Sequence, residues 1–147
     1  MTNEEWYKYT EKVLHSYRRN VESALGVQEE IDILRECGDI ARMRYAEGHS
    51  SGSVDPVLLF VMRVEGLENK LKRIKRRVEA VEKLREDLRN GEVITVTSPR
   101  NLLRILTEHF IDGLTVTEFL RQTSWVRSTF YARRRELVMI AGEYLRA

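Results

Sequence analysis

The chain has 147 residues and a mass of 17.3 kDa, enough for one ordinary domain or a small domain with a helical extension, and too short for most large enzyme folds. Only 8 Gly and 2 Pro punctuate it while 33% of its residues are charged, a composition poor in helix breakers that favours long solvated helices. Its 25 basic and 23 acidic side chains leave a formal charge of +2, which excludes a uniformly basic nucleic-acid binder and makes local segregation of charge the question to follow along the chain.

Thr2 followed by Glu5 is a capping-box pattern, and behind it Trp6, Tyr9, Val13 and Tyr17 recur at helical spacing, so a helix is expected from about Asn3. The pattern runs on through Ala24, Val27, Ile31, Leu34, Ile40 and Met43 to about Ala46, with Gly26 and Gly38 as the points where it is expected to bend or break. Gly48 to Pro56 reads as a flexible connection, in which Asp55 as cap and Pro56 at the first helical position start the next helix. There Val57, Phe60, Val64, Leu67, Leu71, Ile74, Val78 and Val81 alternate by three and four, a coiled-coil-like seam that Leu84 and Leu88 extend to the stop signal Asn90-Gly91. Residues 1–90 therefore read as a long helical hairpin with a narrow core, which is expected to assemble the protein into homo-oligomers.

The β-branched run Val93 to Thr97 is either a short extended piece or part of a linker over residues 91–98. Ser98-Pro99 repeats the cap-and-proline start, and residues 99–147 read as three short helices, about Pro99 to Ile111, Val116 to Gln122 and Val126 to Leu145. The fold class expected is all-α, a helical hairpin followed by a small C-terminal helix-turn-helix domain. The middle helix has a full start signal, with Thr115 and Glu118 as capping box and Leu114 facing Phe119 as hydrophobic staple. Two short turns of helix, a tight turn and a longer amphipathic helix make the geometry that presents the second helix to the DNA major groove.

Charge agrees with that assignment. Between Arg121 and Arg135 the sequence holds five arginines and no acidic residue. On a helical wheel Val126, Phe130, Leu137, Ala141 and Tyr144 share the face expected to pack inward, Ser128, Tyr131 and Arg135 lie away from it, and Arg127 and Arg134 flank it. Arginine can meet guanine bidentately, while Ser and Tyr can serve bases or phosphates, so Arg127, Ser128, Tyr131, Arg134 and Arg135 are the candidates for base reading; Thr115, Thr117, Arg121 and Arg133 are the candidates for phosphate contact. Trp125, in the turn, is expected to be an apolar anchor.

Gly113-Leu114-Thr115 with Glu118-Phe119, followed by Ser128-Thr129-Phe130 and a basic run, is similar to the helix-turn-helix of region 4 of bacterial sigma factors. The stretch Ser128 to Arg135 resembles more specifically the ArpU/RinA type of phage late transcriptional regulators. The resemblance covers about residues 100–145. It implies a double-stranded-DNA-binding activator of late phage genes for packaging, morphogenesis or lysis, acting in the bacterial cytoplasm by placing host RNA polymerase at a promoter. Leu120 stands where the sigma-like pattern has alanine, Ser124 where it has the turn glycine and Val126 where it has a serine cap, so Ser124 is expected to take over the capping role.

Other features point elsewhere or nowhere. The basic segment Lys70 to Arg77 could meet DNA phosphates, but is expected to pair with the acidic first helix, which carries Glu29, Glu30, Asp32 and Glu36. His15, His49 and His109 lack metal-ligand spacing and read as ordinary surface or boundary residues. With no phosphate loop and no nucleophile motif around the single Cys37, neither enzyme activity nor a metal or cofactor is expected. The N-terminal Met-Thr-Asn-Glu-Glu is acidic and the longest apolar run is the six residues Val57 to Met62, so no targeting or membrane-spanning segment is expected. Two other readings compete with the regulator: a phage small terminase subunit binding packaging DNA, whose usual order of parts is the reverse of this one, and a coiled-coil protein-interaction adaptor.

Overall fold

A computed structural model describes the backbone of residues 1–47 and 55–147, and the side chains of residues 1–38 and 55–147. The expected flexible connection lies outside the described residues over 48–54, as do His49 and the side chains of Ile40 and Met43. The chain is all-α: helices α1 (Asn3–His15), α2 (Tyr17–Glu47), α3 (Pro56–Asn90), α4 (Pro99–Arg104), which continues into a π-helical segment (Ile105–Ile111), α5 (Val116–Arg121) and α6 (Arg127–Arg146). The run Val93 to Thr97 forms no strand.

The start signals act as the sequence predicts. Thr2 accepts the Glu5 N–H at 3.1 Å while the Glu5 carboxylate accepts the Thr2 N–H at 2.9 Å, a complete capping box. Asp55 Oδ1 accepts the Val57 N–H at 2.9 Å and Pro56 opens α3. The break in the first helical stretch, however, falls at Ser16 and at neither glycine. Residues on both sides of the break meet the same core: Val13 and Leu14 are buried in it, and Tyr17, one residue past the break, packs against it and donates its hydroxyl to Glu82 on α3 at 3.0 Å.

Two compact units result, Met1–Asn20 with Arg77–Ala147, and Val21–Arg76. In the second, Val27 and Ile31 of α2 are buried with Val64, Leu71 and Ile74 of α3, as the seam requires. Gly38 serves close approach: a Cβ there would stand 2.1 to 2.7 Å from ring atoms of Phe60. Ion pairs Arg35–Glu68 and Arg63–Glu30, the latter at 3.6 Å, cross this hairpin.

The first unit differs from the expected division at residues 91–98. Val81, Leu84 and Leu88 at the end of α3, and Val13 and Leu14 of α1, share one core with Leu102, Ile105, Phe110, Phe119, Phe130 and Leu137. The physical reason is that α4, α5 and α6 are too short to enclose three buried phenyl rings by themselves, so α1 and the end of α3 complete the shell. The expected linker is also tied down. Gly91, at φ +69°, ends α3 with the Glu92 N–H on the Asp87 carbonyl at 2.9 Å. Val93 packs on the core, and the Glu136 carboxylate of α6 accepts the N–H groups of Val96 at 2.7 Å and Thr97 at 3.1 Å. Burial opposes ionisation of Glu136, yet these bonds outweigh it and hold its pKa below the ordinary carboxylate value.

Helices α1 and α6 approach closely at buried Gly142, where an added Cβ would lie 2.9 Å from the Trp6 indole nitrogen and 3.4 Å from Thr10 Oγ1. Alanine at this helical position gains about 1 kcal/mol in propensity but displaces a bulky ring, at a cost of about 1 to 3 kcal/mol. Gly142→Ala is therefore expected to lower the unfolding free energy by about 1 kcal/mol in urea denaturation; a variant more stable than the parent would show that the two helices do not meet this closely.

Candidate nucleic-acid interface

The segment from α4 to α6 is built by an aromatic core and a set of backbone locks. Phe119 of α5 and Phe130 of α6 are both fully buried, with ring centroids 5.1 Å apart. Trp125 meets Phe119 edge-on at 5.2 Å and packs against the core, the anchoring role expected of it. Before α5, the π-helical turn buries Ile105, Leu106, His109, Phe110 and Ile111 together. Hydrogen bonding from i to i+5 brings one more position per turn to the inner face than an α-helix does. Gly113, at φ +80°, then reverses the chain, with the Leu114 N–H on the Glu108 carbonyl at 3.0 Å. Thr115 caps α5 through the Glu118 N–H at 3.2 Å, without the reciprocal carboxylate bond that completes the capping box of α1.

On α6, Phe130, Leu137, Val138 and Ala141 are buried. Arg127, Ser128, Tyr131 and Arg135 are exposed, as are Thr115, Thr117 and Arg121 on and before α5. Ser128, Tyr131 and Arg135 follow one another by three and four along the helix and so share its outer face. Val126 departs from expectation: it is the N-cap residue, in extended conformation, and is 62% exposed instead of packed. No side chain caps α6, so Ser124 does not take the capping role; the first N–H groups of the helix are open, and its positive dipole end lies beside Arg127.

Two of the expected contact residues are engaged within the protein. Arg133 stacks over the Trp125 ring, 4.3 Å from its centroid. Arg134 turns inward: it pairs with Glu11 of α1 at 2.5 Å, donates to His109 Nε2 at 3.2 Å and lies over the Phe110 ring at 4.8 Å, with its side chain only 15% exposed. Tyr7 and His15 of α1 border the same guanidinium. Arg134 is thus removed from the base-reading set, because its charge is spent on holding α6 against α1.

The same cluster corrects the reading of His109 as an ordinary surface or boundary residue and brings His15, which is exposed, beside it. The His15 and His109 rings lie 5.5 Å apart and His109 is buried. His109 Nδ1 bonds the Leu114 carbonyl at 2.7 Å while Nε2 accepts from Arg134, which assigns the neutral ring with its proton on Nδ1. Burial lowers the pKa of both rings, helped by the Arg134 charge, and in His109 the Leu114 carbonyl opposes the shift without reversing it. No local sequence signal announces this cluster, whose members lie in α1, the π-helical segment and α6.

Most of the basic segment of α3 does not pair with the acidic stretch as expected. Glu30 is taken by Arg63, and among the described residues Lys70, Lys72, Arg73 and Lys75 have no ion pair; Arg77 instead donates Nε to the Tyr9 hydroxyl at 3.2 Å. Among the described residues no three His, Cys, Asp or Glu side chains are grouped to hold a metal ion, and no helix is long and apolar enough to cross a membrane. The chain matches no family model, no curated protein and no solved structure.

The lowered histidine pKa values set a direction for stability. As pH falls through the ordinary histidine value of 6.5, the unfolded chain takes up protons that the folded chain refuses. Unfolding free energy is expected to be level above about pH 7 and to decline as pH falls below about 6.5. His109→Gln should flatten that decline in urea titrations at stepped pH; a His109 ring that titrates above 6.5 by NMR would contradict the assignment.

Proposed function

We propose that the protein is a sequence-specific double-stranded-DNA-binding regulator of transcription, with α6 entering the major groove and α5 lying across the backbone. The observation that carries this reading is the outer face of α6: Arg127, Ser128, Tyr131 and Arg135 exposed on a helix whose opposite face is fixed by Phe130, Leu137 and Val138. Such a row joins a rigid support to side chains able to read base edges. The open N-terminus of α6, with Arg121, Thr115 and Thr117 nearby in the motif, suits phosphate positioning. The resemblance of Ser128 to Arg135 to phage late regulators supports activation of late operons through RNA polymerase as the biological setting. Self-association falls on the hairpin of Val21–Arg76, where Leu25, Ile33, Leu58, Leu59 and Met62 are each more than half exposed.

The test begins with selection of a preferred site from a random duplex pool, followed by affinity measurements at one fixed salt concentration. Arg135→Ala is expected to cost about 1 to 3 kcal/mol on the selected site and to relax preference at one position. Arg134→Ala should lower folding stability by about 2 kcal/mol, since it strands Glu11, and should weaken binding through the looser seating of α6 without relaxing preference at one single position. Equal affinity for selected and random duplexes would overturn the proposal.

A further inference from the structure

The break at Ser16 creates a second concavity of unusual charge. It encloses about 280 Å³ and collects side chains from the end of α1, the start of α2 and α3: Lys12, Arg19 and Arg77 supply three positive charges, and Tyr9, Ser16 and Asn20 supply neutral polar groups. No carboxylate lines it. Several other cations of the same unit are matched within the protein: Arg18 with Asp112 at 2.7 Å, Arg104 with Glu108 at 2.5 Å, and Arg134 with Glu11. The groove between α1 and α6, of about 670 Å³, mixes Glu4 and Glu143 with Arg135 and Arg146. Lys12 and Arg19 by contrast have no hydrogen-bond or ion-pair partner among the described residues.

Arg77 is held in place for an external anion. Its Nε donates to the Tyr9 hydroxyl and its guanidinium lies 6.0 Å from the Tyr9 ring centroid, which leaves the two terminal amino groups for a ligand in the planar, forked geometry that suits phosphate oxygens. Three like charges around one small concavity repel one another, and an anion with several acceptor oxygens relieves that repulsion while using the Ser16 and Asn20 side chains as donors.

We infer that this groove is a phosphate-binding site, made by Lys12, Arg19 and Arg77 with Ser16 and Asn20, and distinct from the outer face of α6. Its ligand class is a phosphate ester or phosphate, supplied either by the backbone of bound DNA or by a free phosphorylated molecule. The site does not depend on α6 reading bases, so it can fail or stand separately from the regulator proposal.

The test uses the full chain and the double variant Lys12→Gln/Arg19→Gln, whose two positions are exposed, with an unchanged thermal melt as the control for folding. In the first arm, inorganic phosphate up to about 10 mM is titrated against chloride at constant ionic strength and followed by amide NMR. Saturable shifts confined to residues near Ser16 and Arg77 are expected, with the double variant binding at least about tenfold more weakly. In the second arm, the salt dependence of duplex DNA binding is measured. A slope of log affinity against log salt reduced by about 1 to 2 in the double variant identifies DNA as the phosphate source. An unchanged slope together with lost phosphate binding identifies a free phosphorylated ligand. No saturable phosphate response, or one that the double variant retains, combined with an unchanged DNA slope, overturns the inference.

Discussion

The anchoring of one guanidinium governs the site. Arg134 sits in a helix whose neighbouring arginines, Arg127 and Arg135, face solvent, and it alone of the three is drawn inward, to Glu11 on α1. A charge so nearly buried is tolerable only with a partner, and that need ties the first helix of the chain to the last. The second bond of Arg134, to His109, fixes the histidine tautomer whose other nitrogen holds the Leu114 carbonyl. The rotation of α6 about its axis and the approach of the chain into α5 are therefore set by one connected group of polar contacts, with Phe110 and Phe130 packed around it.

This arrangement sorts the positive charge. The chain is almost balanced overall, and many of its cations meet carboxylates within the fold. Among the described residues the unmatched charge includes the outer face of α6, the groove beside Ser16 and the side chains of Lys70, Lys72, Arg73 and Lys75. Surface charges of this kind contribute little to folding stability, so their positions are free to serve ligands. Helix α6 carries both classes of arginine: Arg134 for position, Arg135 for contact.

Much of the architecture was legible in the sequence because it is local. Thr2 with Glu5, Asp55-Pro56 and Ser98-Pro99 mark helix starts within one turn, and the alternation from Val57 to Val81 places the buried side of α3. The exposed row on α6 follows from the same periodicity. What escaped was non-local. The break at Ser16 has no glycine or proline behind it. The inward turn of Arg134 depends on Glu11, more than a hundred residues earlier, and the pairing of His15 with His109 depends on the docking of α1 against a π-helical turn. A wheel drawn for α6 alone put Arg134 on the boundary of the packed face, and only the partner's charge decides which side of that boundary it takes.

The most direct measurement is amide and side-chain NMR mapping of the isotope-labelled chain on addition of a selected DNA duplex. The largest perturbations are expected at Arg127, Ser128, Tyr131 and Arg135, with the Arg134 guanidinium signal remaining where its contact with Glu11 holds it. Perturbations centred away from the outer face of α6, or an Arg134 signal that moves with the bound DNA while those four residues stay silent, would contradict this expectation.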